Sequence, residues 1–150
     1  MTTDDVAARQ RWMGILARTP LPRLEEAFAA LPEPPAYEAL RRPEIGSALV
    51  RARAGGSGQR FNMGEMTVTR CSVRTAEGAV GHAYVAGRSR RKAELAAVFD
   101  ALLQTPRHRR RLLNDLIEPQ AEVLAAARAA TVAEAAATRV EFFTMVRGED

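Results

Sequence analysis

RARAGGSGQRFNMGEMTVTRCSVR, Arg51 to Arg74, is the stretch on which the reading of this chain turns. Gly55, Gly56 and Gly58 crowd into four positions, Arg60 follows, and valines and threonines come after. Either a loop here cradles a phosphate, or two strands meet in a tight connection. A Walker A loop needs Lys and then Ser or Thr after its last glycine, and Gln59 and Arg60 stand there instead. The dinucleotide fingerprint needs a further glycine at 61, which is Phe61. Glycine is the default turn residue, so the stretch reads as a connection between strands. The alternative is an anion-binding nest at Gly56 and Gly58 with Arg60 beside it.

Working outward, Ser47–Ala54, Met66–Arg74 and Ala79–Gly87 are β-rich runs separated by glycine-bearing turns. Glu77-Gly78 suits a hairpin, because glycine accepts the positive φ that such turns require. Upstream, residues 2–19 read as a helix capped by Thr3, with Trp12, Ile15 and Leu16 on one face. Thr19-Pro20 and Pro22 interrupt the chain before a short helix at Leu24–Leu31, and the proline-rich Pro32–Gly46 contains an extended element. Downstream, Leu95, Val98, Phe99, Leu102 and Leu103 form the apolar stripe of a helix over Ser89–Gln104 that Pro106 ends. A basic patch and short helix follow over Arg107–Pro119, then an alanine-rich helix over Ala121–Arg139. Val140–Gly148 closes the chain as an extended aromatic segment. Helices and strands are segregated, with no β-α-β alternation. The expectation is one α+β domain over residues 1–150, with a mostly antiparallel sheet of about four to five strands flanked by helices.

A length of 150 residues and an apolar fraction of 47% suit one ordinary globular domain. No apolar run is long enough to span a bilayer, and the acidic, then basic N-terminus lacks the apolar centre of a signal peptide. A cytoplasmic protein is expected. Of the 22 basic residues only Lys92 is lysine; the other 21 are arginine, and the net charge is +4. Arginine grips phosphates and carboxylates bidentately, which raises a polyanionic ligand or acidic partner. A compositional bias that also inflates alanine, at 29 residues, explains the same excess.

Catalytic candidates are sparse. Cys71 and His82 lie on runs expected to pair, so a cysteine–histidine dyad is the sharp reading, but no third group orients the imidazole. A packed thiol and an imidazole on the polar face is the plainer one. A lone cysteine cannot build a thiolate metal cage, and no carboxylate pair stands at acid–base spacing. Arg107, Arg109, Arg110 and Arg111 flank His108 without aromatic interleaving or a nucleic-acid signature, so they read as a helix-end patch or subunit contact. Phe142, Phe143, Met145 and Val146 place apolar groups on both faces of the terminal segment. It therefore wants cover from this chain or from another.

Four blocks carry a family resemblance: ARQRWMGILA (8–17), ARAGGSGQRFNMGEMTVTRCSVR (52–74), KAELAAVFDALLQ (92–104) and TRVEFFTMVRG (138–148). In order and spacing they closely resemble the PhnG subunits of the carbon–phosphorus lyase system, over nearly the whole chain. The matching positions include Trp12, Gly55, Gly56, Gly58, Arg60, Phe61, Thr69, Arg70, Glu94 and Asp100, then Phe142, Phe143, Thr144, Met145, Arg147 and Gly148. The resemblance implies a subunit that acts with PhnH-, PhnI- and PhnL-like partners. Together they join a phosphonate to the ribose of MgATP and expel adenine, before a PhnJ-like radical enzyme cleaves the product. It also implies a symmetric complex with two copies of each core subunit. The adenine-displacing chemistry is attributed to PhnI, so no catalytic residue, cofactor or metal site is expected in this chain. Trp12, Phe142, Phe143, Met145 and Arg147 are expected at subunit contacts. A small basic nucleic-acid-binding module and an independent Cys/His enzyme are the competing readings.

Overall fold

Trp12, Ile15 and Leu16 form the buried stripe of α1 (Thr3–Arg18) in the computed structural model, which describes residues 3–137. Asp4 and Asp5 occupy its first turn and Arg18 its last, as the helix dipole favours. The second helix, α2 (Leu21–Ala29), starts earlier than Leu24. Pro20 is its N-cap and Pro22 lies in its first turn, where a missing N–H breaks no intrahelical bond. The prolines expected to interrupt the chain therefore start a helix.

Three strands, β1 (Tyr37–Arg53), β2 (Arg60–Thr75) and β3 (Val80–Ala86), form an antiparallel sheet in that order. The described sheet has three strands rather than four to five. Pro32–Gly46 and Ser47–Ala54, read as separate pieces, contribute to one long strand that runs through Pro43. Proline donates nothing to a ladder, but β1 pairs only with β2 among the described residues, and its register shifts between Arg41 and Glu44. An irregular edge tolerates proline. The remaining expected strand, Val140–Gly148, lies outside the described residues. The Glu77-Gly78 hairpin is present: Gly78 has φ 88° and donates its N–H to the Thr75 carbonyl at 2.8 Å.

One face of this sheet carries the core. Thr69, Cys71, Val73 and Val85 point from it towards α3 (Arg90–Leu103), whose Leu95, Val98, Phe99, Leu102 and Leu103 are all buried. The Ser89 hydroxyl caps α3 by accepting from the Lys92 N–H at 3.3 Å. Contact between β3 and α3 is closest at Gly81, where a Cβ would lie 1.9 Å from the Ala97 carbonyl oxygen. No side chain fits there. Pro106 opens α4 (Pro106–Leu112), and a π-helical turn at Leu113–Ile117 leads into α5 (Glu118–Ala137). Leu112, Leu116 and Ile117 close the core from this side.

A fully buried carboxylate pins these layers together. Asp100 of α3 accepts from Arg9 Nε at 3.2 Å, Arg9 Nη2 at 2.7 Å, Trp12 Nε1 at 2.8 Å and the His82 N–H at 2.9 Å. Arg9 also reaches the Val80 carbonyl, so α1, α3 and β3 meet at one group. Asp100→Ala leaves the indole N–H and a largely buried guanidinium without their partner. The expected cost is roughly 3–5 kcal/mol of unfolding free energy, measurable by urea denaturation followed through Trp12 fluorescence.

Candidate functional site

The glycine stretch turns the β1–β2 hairpin. Ala54–Gly56 makes a single 3-10 turn with Gly55 at φ 58° and Gly56 at φ 82°, conformations that glycine adopts without strain. The Gly58 N–H donates to the Ala54 carbonyl at 2.8 Å, and the Ala54 N–H donates to the Gln59 carbonyl at 3.1 Å. Gly58 also accepts at its carbonyl from Arg53 at 3.3 Å. Of the nest proposed at Gly56, Gly58 and Arg60, the Gly58 amide is thus committed within the turn. Arg60 begins β2 opposite Arg53. The local geometry is that of a hairpin tip, exposed throughout.

Cys71 and His82 do not meet. Cys71 pairs across the ladder with Ala83, while His82 pairs with Ser72, so the two side chains leave opposite faces of the sheet. The His82 Nδ1 lies 2.9 Å from the Ser72 hydroxyl on the exposed face. The Cys71 thiol is buried and donates to the Arg41 carbonyl at 3.4 Å. Burial first, and the Glu94 charge second, push its pKa from about 9 up to about 11. A nucleophilic cysteine needs the opposite shift.

The arginine patch after Pro106 is mostly engaged inside the chain. Arg107 reaches Glu33 and Glu77, and Arg111 reaches Asp115 and the Ala30 carbonyl. Arg109 donates to the Leu103 carbonyl and lies over the Trp12 ring, 5.6 Å from its centroid. These guanidinium groups clasp α4 to its neighbours. Trp12, expected at a subunit contact, is only 3% exposed and is a core residue. Its indole N–H serves Asp100, and its hydrophobic ring fills the helix layer, so burial within this chain overrides the surface role. Phe142, Phe143, Met145 and Arg147 lie outside the described residues.

Two polar clusters escaped the reading of the sequence. Glu44 accepts from Arg41 at 2.8 Å and Arg70 at 2.6 Å, and both bonds hold its carboxyl below the ordinary carboxylate range. Tyr37 donates to Glu94 at 3.1 Å, and Arg91 donates to the same carboxylate at 2.8 Å. Burial, then the Glu94 charge, raise the Tyr37 phenol. Only Glu94 and Arg70 carried a signal, through the family resemblance. Arg70 meets Glu44 only through strand register across a proline-bearing irregularity, and Glu94 meets Tyr37 only where β1 comes to α3. Among the described residues no group of three His, Cys, Asp or Glu side chains could hold a metal ion, and every buried side-chain nitrogen and oxygen has a partner. No described helix is long and apolar enough to cross a membrane.

A family model described as "Phosphonate metabolism protein PhnG" matches residues 7–148. The chain belongs to the PhnG family. It is also similar to the alpha-D-ribose 1-methylphosphonate 5-triphosphate synthase subunit PhnG of Rhizobium meliloti (strain 1021), at 46% identity over 151 aligned positions. That alignment covers 99% of this chain and 96% of the relative. PhnG membership accounts for the glycine-bearing block over residues 52–74 and the block over Lys92–Gln104.

The thiol gives a test with a defined sign. Because Cys71 is protonated in the fold up to about pH 11, the unfolded chain binds fewer protons than the native one above about pH 9. Stability is therefore full below that point and falls as pH rises from about 9 towards 11. Cys71→Ala is expected to flatten this part of the stability profile, measured by urea unfolding at each pH. Iodoacetamide should label native Cys71 at pH 8 far more slowly than the unfolded chain.

Proposed function

We propose that this chain is the PhnG-type subunit of an alpha-D-ribose 1-methylphosphonate 5-triphosphate synthase, working in the cytoplasm in organic phosphonate catabolism. The observation that carries the reading is the 46% identity, which runs through 99% of this chain and 96% of a relative bearing that name. The reaction joins methylphosphonate to the ribose of MgATP and releases adenine. In this reading the chain is an accessory subunit rather than the catalyst, with PhnH-, PhnI-, PhnJ- and PhnL-like partners and two copies in a symmetric assembly. The engaged state of its buried polar groups supports that role. Asp100 and Glu94 are tied into hydrogen bonds, the lone thiol is held protonated, and Cys71 and His82 face apart. It carries no cofactor of its own in this reading, and MgATP is a substrate of the assembled enzyme.

Reconstitution tests the proposal. A mixture of PhnH-, PhnI- and PhnL-like subunits with MgATP and methylphosphonate should release adenine only when this chain is added, and the chain alone should release none. Full turnover by the other subunits in its absence would sink the reading. Phe142→Asp combined with Phe143→Asp is expected to abolish co-purification with the PhnI-like subunit while far-ultraviolet circular dichroism stays unchanged. Undiminished recovery of the partner would remove the terminal segment from the interface.

A further inference from the structure

Along β1 and β2 the polar and apolar faces exchange sides. Over the part backed by β3, the helix-facing side of β2 carries Thr75, Val73, Cys71 and Thr69, all buried, while Arg74, Ser72 and Arg70 point away. Beyond Thr69 the alternation continues and the chemistry inverts. The side that continues the core face now carries Thr67, Glu65, Asn62 and Arg60, with Ser47, Leu49, Arg51 and Arg53 opposite on β1, so that Leu49, 62% exposed, is its one large apolar group. The other side carries Val68, Met66 and Phe61, paired with Gly46, Ala48 and Ala52, and Val50 lies between these β1 positions. Phe61 and Met66 are 47% and 41% exposed, and Met63, which has no partner at the register shift after Val50, is 65% exposed.

This arm, Gly46–Thr67, reaches past β3, whose pairing with β2 ends at Val68. At about 3.3 Å per residue its strand from Gly46 to Arg53 is roughly 25 Å long. A two-stranded ribbon with no third strand and no helix against it is marginal in water. Its apolar side faces away from α3, so the helices that cover the rest of the sheet cannot cover it. Arg51, Arg53 and Arg60 make no ion pair among the described residues, and Glu65 is the single acid on the arm.

We propose that the arm inserts into a cleft of a different polypeptide, with one apolar wall against Phe61, Met66 and Val50 and an acidic wall against Arg51, Arg53 and Arg60. A second copy of this chain is disfavoured, because two such arms would bring arginine against arginine and offer no acidic wall. The inference rests on the subunit reading above and adds where this chain is gripped.

The test uses the complex assembled by co-expression with PhnH-, PhnI-, PhnJ- and PhnL-like subunits. Phe61→Asp with Met66→Asp changes only exposed positions, so circular dichroism and melting temperature of the free chain should match wild type. Recovery of partner subunits should fall about tenfold or more. Arg51→Glu with Arg60→Glu should also lower recovery. Hydrogen exchange supplies a readout that needs no variant: amides of residues 46–67 should exchange rapidly in the free chain and slowly in the complex. If wild-type chain assembles normally but arm exchange is the same free and bound, or both variants assemble as well as wild type, the arm is not the gripped element. Arm amides already protected in the free chain, through self-association or cover by residues 138–150, would equally overturn the proposal. A wild-type chain that recovers none of these subunits refutes the subunit reading itself.

Discussion

Asp100 sits where α1, α3 and β3 converge, and the rest of the molecule is arranged around keeping its charge paired. A carboxylate removed from water is tolerated only when donors replace the lost hydration, and here a guanidinium, an indole and a backbone amide do so. Those donors come from two elements, α1 and β3, and the acceptor belongs to a third, α3. The pairing therefore acts as a geometric requirement: α1 must cross α3 where Arg9 and Trp12 reach, and β3 must present the His82 amide. Gly81, the residue before it, lets β3 approach the α3 backbone closely enough for that amide to arrive. From the α1 side, Arg11 grips Glu118 and Arg109 stacks on Trp12, which carries the arrangement on to α4 and α5.

The helix layer built this way covers one face of a sheet whose first two strands outrun the third. Over the covered part the outward face is polar, with Arg70, Ser72 and His82 exposed or half-exposed, as expected for an antiparallel sheet wet on one side. Past that part the same outward face turns apolar. Among the described residues nothing covers Phe61, Met63 and Met66 there, and all three stay exposed. The reversal suits a family whose named relative is one subunit of a larger synthase. The body is thus organised around its own core, and the arm, in the proposal made above, around a surface that another chain supplies.

Arginine forms most of the ion pairs, some between elements and some within one. Arg70 of β2 reaches Glu44 of β1, Arg107 spans Glu33 and Glu77, and Arg41–Glu44 and Arg91–Glu94 are local pairs within β1 and α3. Exposed pairs of this kind each add little stability in water. Their effect on composition is larger than their effect on energy, since the arginines give a basic chain without leaving an equally basic surface around α4. Net charge was therefore a poor guide to partners, and a nucleic-acid reading built on the Arg107–Arg111 run loses three of its four arginines, Arg107, Arg109 and Arg111, to internal carboxylates and carbonyls.

Local chemistry was legible in the sequence because it depends on neighbours a few residues away. Helical spacing placed Trp12, Ile15 and Leu16 on one face and Leu95 to Leu103 on another. Gly78 marked a hairpin, and the absence of Lys and Gly after Gly58 ruled out the known phosphate loops. Family membership was also legible, through four blocks spread along the chain. What the sequence left open was every property set by contacts distant in the chain. Strand length was misjudged at Pro43, because an edge position and a register irregularity excuse a proline that local preference would reject. Trp12 looked like an interface residue until Asp100, far along the chain, was found to claim its N–H. Cys71 and His82 looked like neighbours until register set them on opposite faces. One residue of strand register reverses every side chain, and only tertiary pairing fixes it.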